Sequence, residues 1–205
     1  MDTPVVAPLV LAAGLSRRFG GAKLSTLFRG RPLLANVLDQ IATARERHLL
    51  EDGVVVYRSD DLDGARLATA AGLLAVANAD PTSGLSSSLR LGLDALTPSR
   101  ADWALIFLAD QPTVRLDVIA ALVAAARPVV DLIRPIYSGA PDTPGHPLLV
   151  HRRLWERARS LTGDEGFRTL AAGRGVRAGE ILITGSNPDI DTPEDLAALE
   201  ANDGA

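Results

Sequence analysis

The chain of 205 residues has no cysteine, which excludes disulfides, thiolate catalysis and thiolate metal sites. It has no apolar stretch long enough to span a membrane. Its opening, Met1-Asp2-Thr3-Pro4, lacks the basic region of a secretory signal, so the expected location is cytoplasmic. Positive charge is not in excess either. The net charge of −4 argues against a general binder of nucleic acid or of anionic membranes, and any phosphate site must be a local positive spot on an acidic protein. Aromatic residues are only 4%, against abundant Ala, Leu, Val, Gly and Arg; this looks like a high-GC genome and carries no functional message. What is present suffices for a core. With 47% hydrophobic and 22% charged residues, the composition is that of a globular chain of one-domain size.

Apolar runs alternate with amphipathic stretches. Strands are expected near Val5–Leu11, Gly53–Arg58, Leu73–Ala77, Trp103–Ala109, Asp131–Tyr137 and Glu180–Thr184. Helices are expected over Leu33–Ala44, Asp63–Ala71, Leu85–Leu96, Leu116–Ala126, Arg152–Leu161, Glu165–Ala172 and Pro193–Ala201. Continuous apolar runs such as Val5–Leu11 and Trp103–Leu108 suit central strands covered on both faces. Strand–helix alternation predicts an α/β fold with a mostly parallel sheet and right-handed crossovers. In such sheets ligands bind outside the carboxyl ends of the strands. The turn-rich stretch from Ser138 to Gly145 divides the chain. One domain is expected over residues 1–205, with a nucleotide-binding half at about 1–137 and an acceptor-binding region at about 138–205.

The richest segment follows the first strand: Leu11-Ala12-Ala13-Gly14-Leu15-Ser16-Arg17-Arg18-Phe19-Gly20-Gly21-Ala22-Lys23. Small residues let backbone N–H groups approach an anion, and Arg17, Arg18 and Lys23 add charge beside them. A Walker loop is excluded, because Phe19 stands where the second glycine should and Leu24 follows Lys23. The dinucleotide fingerprint fails at Ser16.

Asp110 closes the fourth apolar run and precedes Gln111-Pro112, a place suited either to holding Mg²⁺ or to capping the following helix. Asp189 and Asp191 precede a helix start made of Thr192, Pro193, Glu194 and Asp195, and are themselves free to point elsewhere. Two apart in an extended segment, both can face one way. A further polar loop runs from Asn78 through Gly84 to Ser86-Ser87-Ser88 at a helix start, where hydroxyls and free N–H groups either cap the helix or meet a ligand. His146 stands alone in Gly145-His146-Pro147, and Arg168 follows a turn near Asp164. An isolated histidine is more often structural, and Arg168 suits an anionic phosphate and a plain surface position equally well.

Read together, Leu11, Ala12, Ala13, Gly14, Ser16, Arg18, Gly20 and Lys23 reproduce the pattern L-A-A-G-x-S-x-R-x-G-x-x-K, which resembles the opening of the MobA-like nucleotidyltransferases. The likeness is nearest to the molybdenum cofactor cytidylyltransferase branch. It implies a Rossmann-like, glycosyltransferase-A-type fold. It also implies transfer of NMP from an NTP to a phosphorylated acceptor with release of pyrophosphate. In that light Leu11, Ala12, Ala13, Gly14, Ser16 and Lys23 would hold the nucleotide phosphates, and Lys23, Arg18 and Asp110 would be catalytic. Asn78, Gly84, Ser87 and Ser88 would lie against base and ribose. Mg²⁺ would sit on Asp110 and Asp191, with Asp189 as the alternative to Asp191. His146, Asp164 and Arg168 would face the acceptor.

Guanylyl relatives tend to read Leu-Ala-Gly-Gly at the first motif, so Ala13 favours CTP. The implied acceptor is molybdopterin, and the implied protein partner is a molybdoenzyme or its chaperone; neither nucleic acid nor membrane is expected. Pro144, where many relatives have Arg, and the bulky Phe167 both fall in the acceptor half and leave the acceptor open. The rival readings are a guanylyl or sugar-phosphate nucleotidyltransferase, and a non-catalytic nucleotide- or cofactor-binding module on the same fold.

Overall fold

A computed structural model describes residues 4–21, 23–163 and 167–203. Its centre is β1 (Val6–Ala12), in which every residue is buried. β1 pairs in parallel with β4 (Val54–Arg58) on one side and β6 (Trp103–Leu108) on the other, in the register Leu9↔Val54 and Leu9↔Ile106. β5 (Leu74–Asn78) continues the sheet in parallel beyond β4. On the far side stand β8 (Leu148–His151), β7 (Leu132–Tyr137) and β9 (Ala178–Ile183), giving the seven-strand order β5-β4-β1-β6-β8-β7-β9. β8 is antiparallel to both β6 and β7, and the other six strands run one way. The fold is thus α/β with a mostly parallel sheet, as expected. The two short strands β2 (Leu27–Phe28) and β3 (Arg31–Pro32) form a separate hairpin.

Side chains alternate across β1, and this builds two cores. Val6, Val10 and Ala12 face α1 (Leu33–Glu46), α2 (Leu62–Ala70) and α4 (Leu116–Ala125) through Leu34, Val37, Ile41, Ala68, Ile119 and Leu122. Ala7, Leu9 and Leu11 face α3 (Leu85–Leu96), α5 (Trp155–Ala158) and α6 (Phe167–Ala171) through Leu89, Leu93, Trp155 and Leu170. Helix α3 lies so close that a Cβ on Gly92 would sit 2.2 Å from Leu9 Cδ1. A third small cluster joins Phe28 and Leu33 to Ile190, with Phe19, Leu196 and Leu199 packed around it. It ties the glycine-rich loop and the hairpin to α7 (Pro193–Asp203) and the segment before it.

Two expectations need correction. The segment read as a single helix from Arg152 to Leu161 is a 3₁₀ turn, Arg152–Leu154, followed by the single turn of α5. The strand β8 was not expected at all. Leu148-Leu149-Val150 is too short a run to stand out after so many turn residues, and only pairing with both β6 and β7 makes it a strand. Of the helix expected from Glu165, Glu165 itself lies outside the described residues.

Candidate active site

The carboxyl ends of β1 and β6 lie side by side, because Leu11 pairs with Leu108. The glycine-rich loop therefore leaves the sheet beside Asp110. The Ser16 carbonyl accepts from the N–H of Phe19 and of Gly20, which turns the loop back on itself. Ser16 holds a left-handed φ of 49°, an uncommon backbone state for a residue with a side chain. Gly14 has nothing within 4 Å of where a Cβ would stand. Neither its neighbours nor its φ demand glycine, so the space is open to a ligand that approaches the backbone. Lys23 begins the short turn at the loop's end and is buried, with 7% of its side chain exposed.

The Lys23 ammonium joins the two acidic segments. Its Nζ donates to Asp110 Oδ2 at 2.8 Å and to Asp191 Oδ1 at 3.2 Å. Arg18 pairs with the other oxygen of Asp191 at 2.8 Å, although 74% of the Arg18 side chain is exposed. Asp110 and Asp191 are themselves 26% and 31% exposed, and Asp110 lines the cleft described below. Asp110 does not cap α4. The N-cap of α4 is Arg115, five residues on, which removes the capping alternative.

Asp191 is aimed by its neighbours. Ile190 is fully buried in the small third cluster. The Asp195 carboxylate accepts from the N–H of Asp191 and of Thr192, while Thr192 Oγ1 accepts from the Asp195 N–H. This reciprocal cap fixes the start of α7. The two backbone donors and the Thr192 hydroxyl hold the Asp195 carboxyl below the usual carboxylate range. Asp189 is aimed differently. It accepts from Gln111 Nε2 at 2.9 Å, and burial first, then the negative charge of Asp110, push its carboxyl up.

A cleft of about 480 Å³ opens over this group. It is walled by Leu11 to Arg18, Lys23 and Asp110 on one side and by Pro81, Thr82, Gly84, Leu85 and Ser88 on the other. Asn78 and Ser87 stand behind that second wall, not on it. Asn78 Nδ2 donates to Ser87 Oγ at 2.9 Å and to Ser88 Oγ at 3.0 Å, all three residues being buried. They clamp the end of β5 to the start of α3, so Gly84 and Ser88 are what a ligand in the cleft meets. The third serine, Ser86, donates its N–H to the Gly163 carbonyl.

Past the turn-rich stretch, the His146 carbonyl accepts from the Tyr137 hydroxyl at 2.7 Å and from Asn187 Nδ2 at 3.1 Å. Burial pushes the Tyr137 hydroxyl up to about 12, so it stays a donor at neutral pH. Burial also pushes His146 down to about 4, against the opposing pull of Asp110, so its ring is neutral at pH 7. The stability consequence has a definite sign. The unfolded chain binds this proton below about pH 6.5 and the folded chain only near pH 4, so stability falls as pH falls through that window. Replacing His146 by Phe should flatten the difference in melting temperature between pH 7 and pH 4.5; a slope equal to the parent's would show that the ring titrates normally. Asp164 lies outside the described residues, and nothing is described of the Arg168 side chain.

Sequence reasoning missed Gln111, Thr113, Tyr137 and Asn187. Each is an ordinary polar residue in sequence, and the only signal available was that Gln111 and Asn187 flank the three acids. Both prove to be buried.

The donor set suits a divalent cation. Two carboxylate oxygens converge on one point now served by an ammonium, and Mg²⁺ or Mn²⁺ takes one or two carboxylates with the rest of its shell from water and phosphate. Among the described residues no group of three or more His, Asp or Glu could hold a metal, so a cation on these two carboxylates would take the rest of its shell from water or phosphate.

Residues 8–181 match the MobA-like NTP transferase domain. The chain belongs to this family. Among its relatives, the purine catabolism protein PucB of Bacillus subtilis is 29% identical over 202 residues, covering 95% of this chain and 96% of that protein. The phosphoenolpyruvate guanylyltransferase of Sphaerobacter thermophilus is 34% identical over 173 residues, covering 82% of this chain and 79% of the relative. Rv0371c from Mycobacterium tuberculosis superposes with a TM-score of 0.79 at 25% identity, over 97% of this chain and 99% of that one. A structure of Rv0371c has also been determined as a complex with manganese. As a member of the MobA-like family this chain is a nucleotidyltransferase. No helix among the described residues is long and apolar enough to cross a membrane.

Proposed function

We propose that this MobA-like protein transfers NMP from CTP to a phosphorylated acceptor of the molybdopterin type, with Mg²⁺ held by Asp110 and Asp191. The observation that carries the reading is Lys23 Nζ, set 2.8 Å from Asp110 and 3.2 Å from Asp191 on the floor of a cleft walled by glycine-rich backbone. An acceptor phosphate oxygen attacks the α-phosphorus. The bond from the α-phosphorus to the bridging oxygen breaks, and pyrophosphate leaves with that electron pair. Such a reaction needs positioning and charge neutralisation more than a protein nucleophile.

The backbone from Ala12 to Ser16 cradles the phosphates, and Gly14 leaves room for their approach. Lys23 and Arg18 stabilise the charge that grows on the departing phosphates. When bound, Mg²⁺ neutralises phosphate charge and fixes its geometry. Gly84 and Ser88 lie against base and ribose, with Asn78 and Ser87 supporting them from behind. His146, Asp164 and Arg168 belong to the acceptor end, within about residues 138–205. The cytoplasm, with its NTP supply, is the compartment this activity calls for, and a molybdoenzyme or its chaperone would receive the product.

Ala13 in the first motif favours CTP. The kinship to a guanylyltransferase favours GTP as the second reading. Pyrophosphate release measured with CTP, GTP, ATP and UTP, each with molybdopterin as acceptor, separates them. The expected result is CTP fastest. Faster release from GTP would overturn the base assignment, and no turnover of molybdopterin with any nucleotide would overturn the acceptor.

A further inference from the structure

We infer that Gln111 is a positioning residue: its buried carboxamide holds the Asp110 loop against the Asp189–Asp191 segment and so sets the spacing of the two carboxylates a cation needs. This rests on the reading of Asp110 and Asp191 as the cation's ligands.

Gln111 is buried and does not line the cleft, so it does not meet the nucleotide directly. Its carboxamide is used from both ends. Nε2 donates to Asp189 Oδ1 at 2.9 Å, and Oε1 accepts from Asn187 Nδ2 at 3.0 Å. Asn187 is equally committed. The same Nδ2 donates to the His146 carbonyl at 3.1 Å, and its Oδ1 accepts from Thr113 Oγ1 at 3.1 Å. One backbone bond parallels the relay, from the Ile190 N–H to the Asp110 carbonyl at 2.9 Å.

Four stretches of chain far apart in sequence therefore meet in one hydrogen-bonded knot: residues 110–113, Tyr137, His146 and residues 187–191. Neither Asp110 nor Asp191 is fixed by its own loop alone. The Ile190–Asp110 backbone bond and the Lys23 ammonium also tie the two loops together, but the lysine is the group a cation's charge would replace between the carboxylates. The amide relay adds two bonds through Gln111 and a third between Thr113 and Asn187. Buried networks of this kind specify a geometry only when every member is satisfied. A displacement of about 1 Å between groups that must act together costs on the order of 100-fold in rate.

The partner of Gln111 suggests a test by exchange. In Gln111→Glu the acceptor for Asn187 remains, but a carboxylate replaces the donor and faces Asp189. Adding Asp189→Asn returns a donor to the pair, reversed in direction and with the parent's net charge. Three quantities are measured: Mn²⁺ affinity of the nucleotide-free protein by electron paramagnetic resonance, kcat with KM for CTP, and melting temperature. Gln111→Glu should weaken Mn²⁺ binding by about 10- to 100-fold, the range typical for groups that orient metal ligands, with kcat falling alongside and KM changing less. The Gln111→Glu/Asp189→Asn protein should recover most of that loss. Gln111→Met removes both hydrogen bonds without adding charge and guards against a variant that fails to fold; it should lose Mn²⁺ affinity while still melting cooperatively.

Parent-like Mn²⁺ affinity in Gln111→Met, or no recovery in the exchanged pair, overturns the inference. Asp110→Ala distinguishes this failure from that of the underlying reading. If Asp110→Ala binds Mn²⁺ as the parent does, the cation site itself is misassigned. If Asp110→Ala loses Mn²⁺ while the Gln111 variants keep it, only the positioning role falls.

Discussion

Replacing Asp110 by alanine is expected to lower pyrophosphate release by at least about 10²–10³-fold, the loss typical when one preorganised electrostatic group is removed from a reacting centre. The protein should stay folded. The Asp110 side chain sits at the site's mouth, and its one described side-chain partner is Lys23, which keeps Asp191 as a counter-charge. Circular dichroism and melting temperature should therefore match the parent while turnover is lost. Asp191→Asn should show the same pattern, and Asp189→Asn a smaller loss, because Asp189 is turned to Gln111 and does not share the lysine. Parent-like turnover in Asp110→Ala with Mg²⁺ as the sole metal would sink the assignment. A larger loss at Asp189 than at Asp191 would move the second ligand to Asp189.

The second large effect falls on Lys23. In Lys23→Ala, kcat and kcat/KM should drop together by about 10²–10³-fold, since the ammonium would act on charge that develops only as pyrophosphate leaves. A rise in KM alone would mean that Lys23 binds ground state and transition state equally. The buried position adds a stability signature. Without the ammonium, Asp110 and Asp191 face each other with no shared counter-charge. The melting temperature should fall in EDTA and recover when Mn²⁺ supplies that charge. Arg17, exposed and outside the motif pattern, should be dispensable, and Arg18→Ala should cost less than Lys23→Ala because its pairing with Asp191 is largely solvated. A loss at Arg17 as severe as at Lys23 would show the loop to be misread.

Much of this was legible in the residues themselves. The run Val6–Leu11 is apolar throughout because β1 is covered on both faces, and that alone announces a central strand. The loop after it is legible for the same reason, because the small residues and cations a phosphate cradle would need are consecutive in the chain. The capped start of α7 is likewise local, built from Thr192, Pro193 and Asp195 within a single turn. Resemblance to the MobA-like family rested on such contiguous patterns, and the family match extends the same information over residues 8–181.

Tertiary structure decided what depends on residues far apart. Spacing could not choose between Asp189 and Asp191, because residues two apart in an extended segment share a face. Burial of Ile190 against Phe28 and Leu33, with a lysine 168 positions away, turned Asp191 toward Asp110 and left Asp189 to Gln111. The same holds for Asn78 and Ser87, which the family resemblance would place at a ligand and the fold places behind the cleft wall. The strand β8 exists only because two neighbours accept it, and no three-residue apolar run carries that in itself. Local chemistry is written consecutively and survives in the sequence. Which polar groups face one another across a core is set by packing, and it becomes visible only once the sheet has brought their strands together.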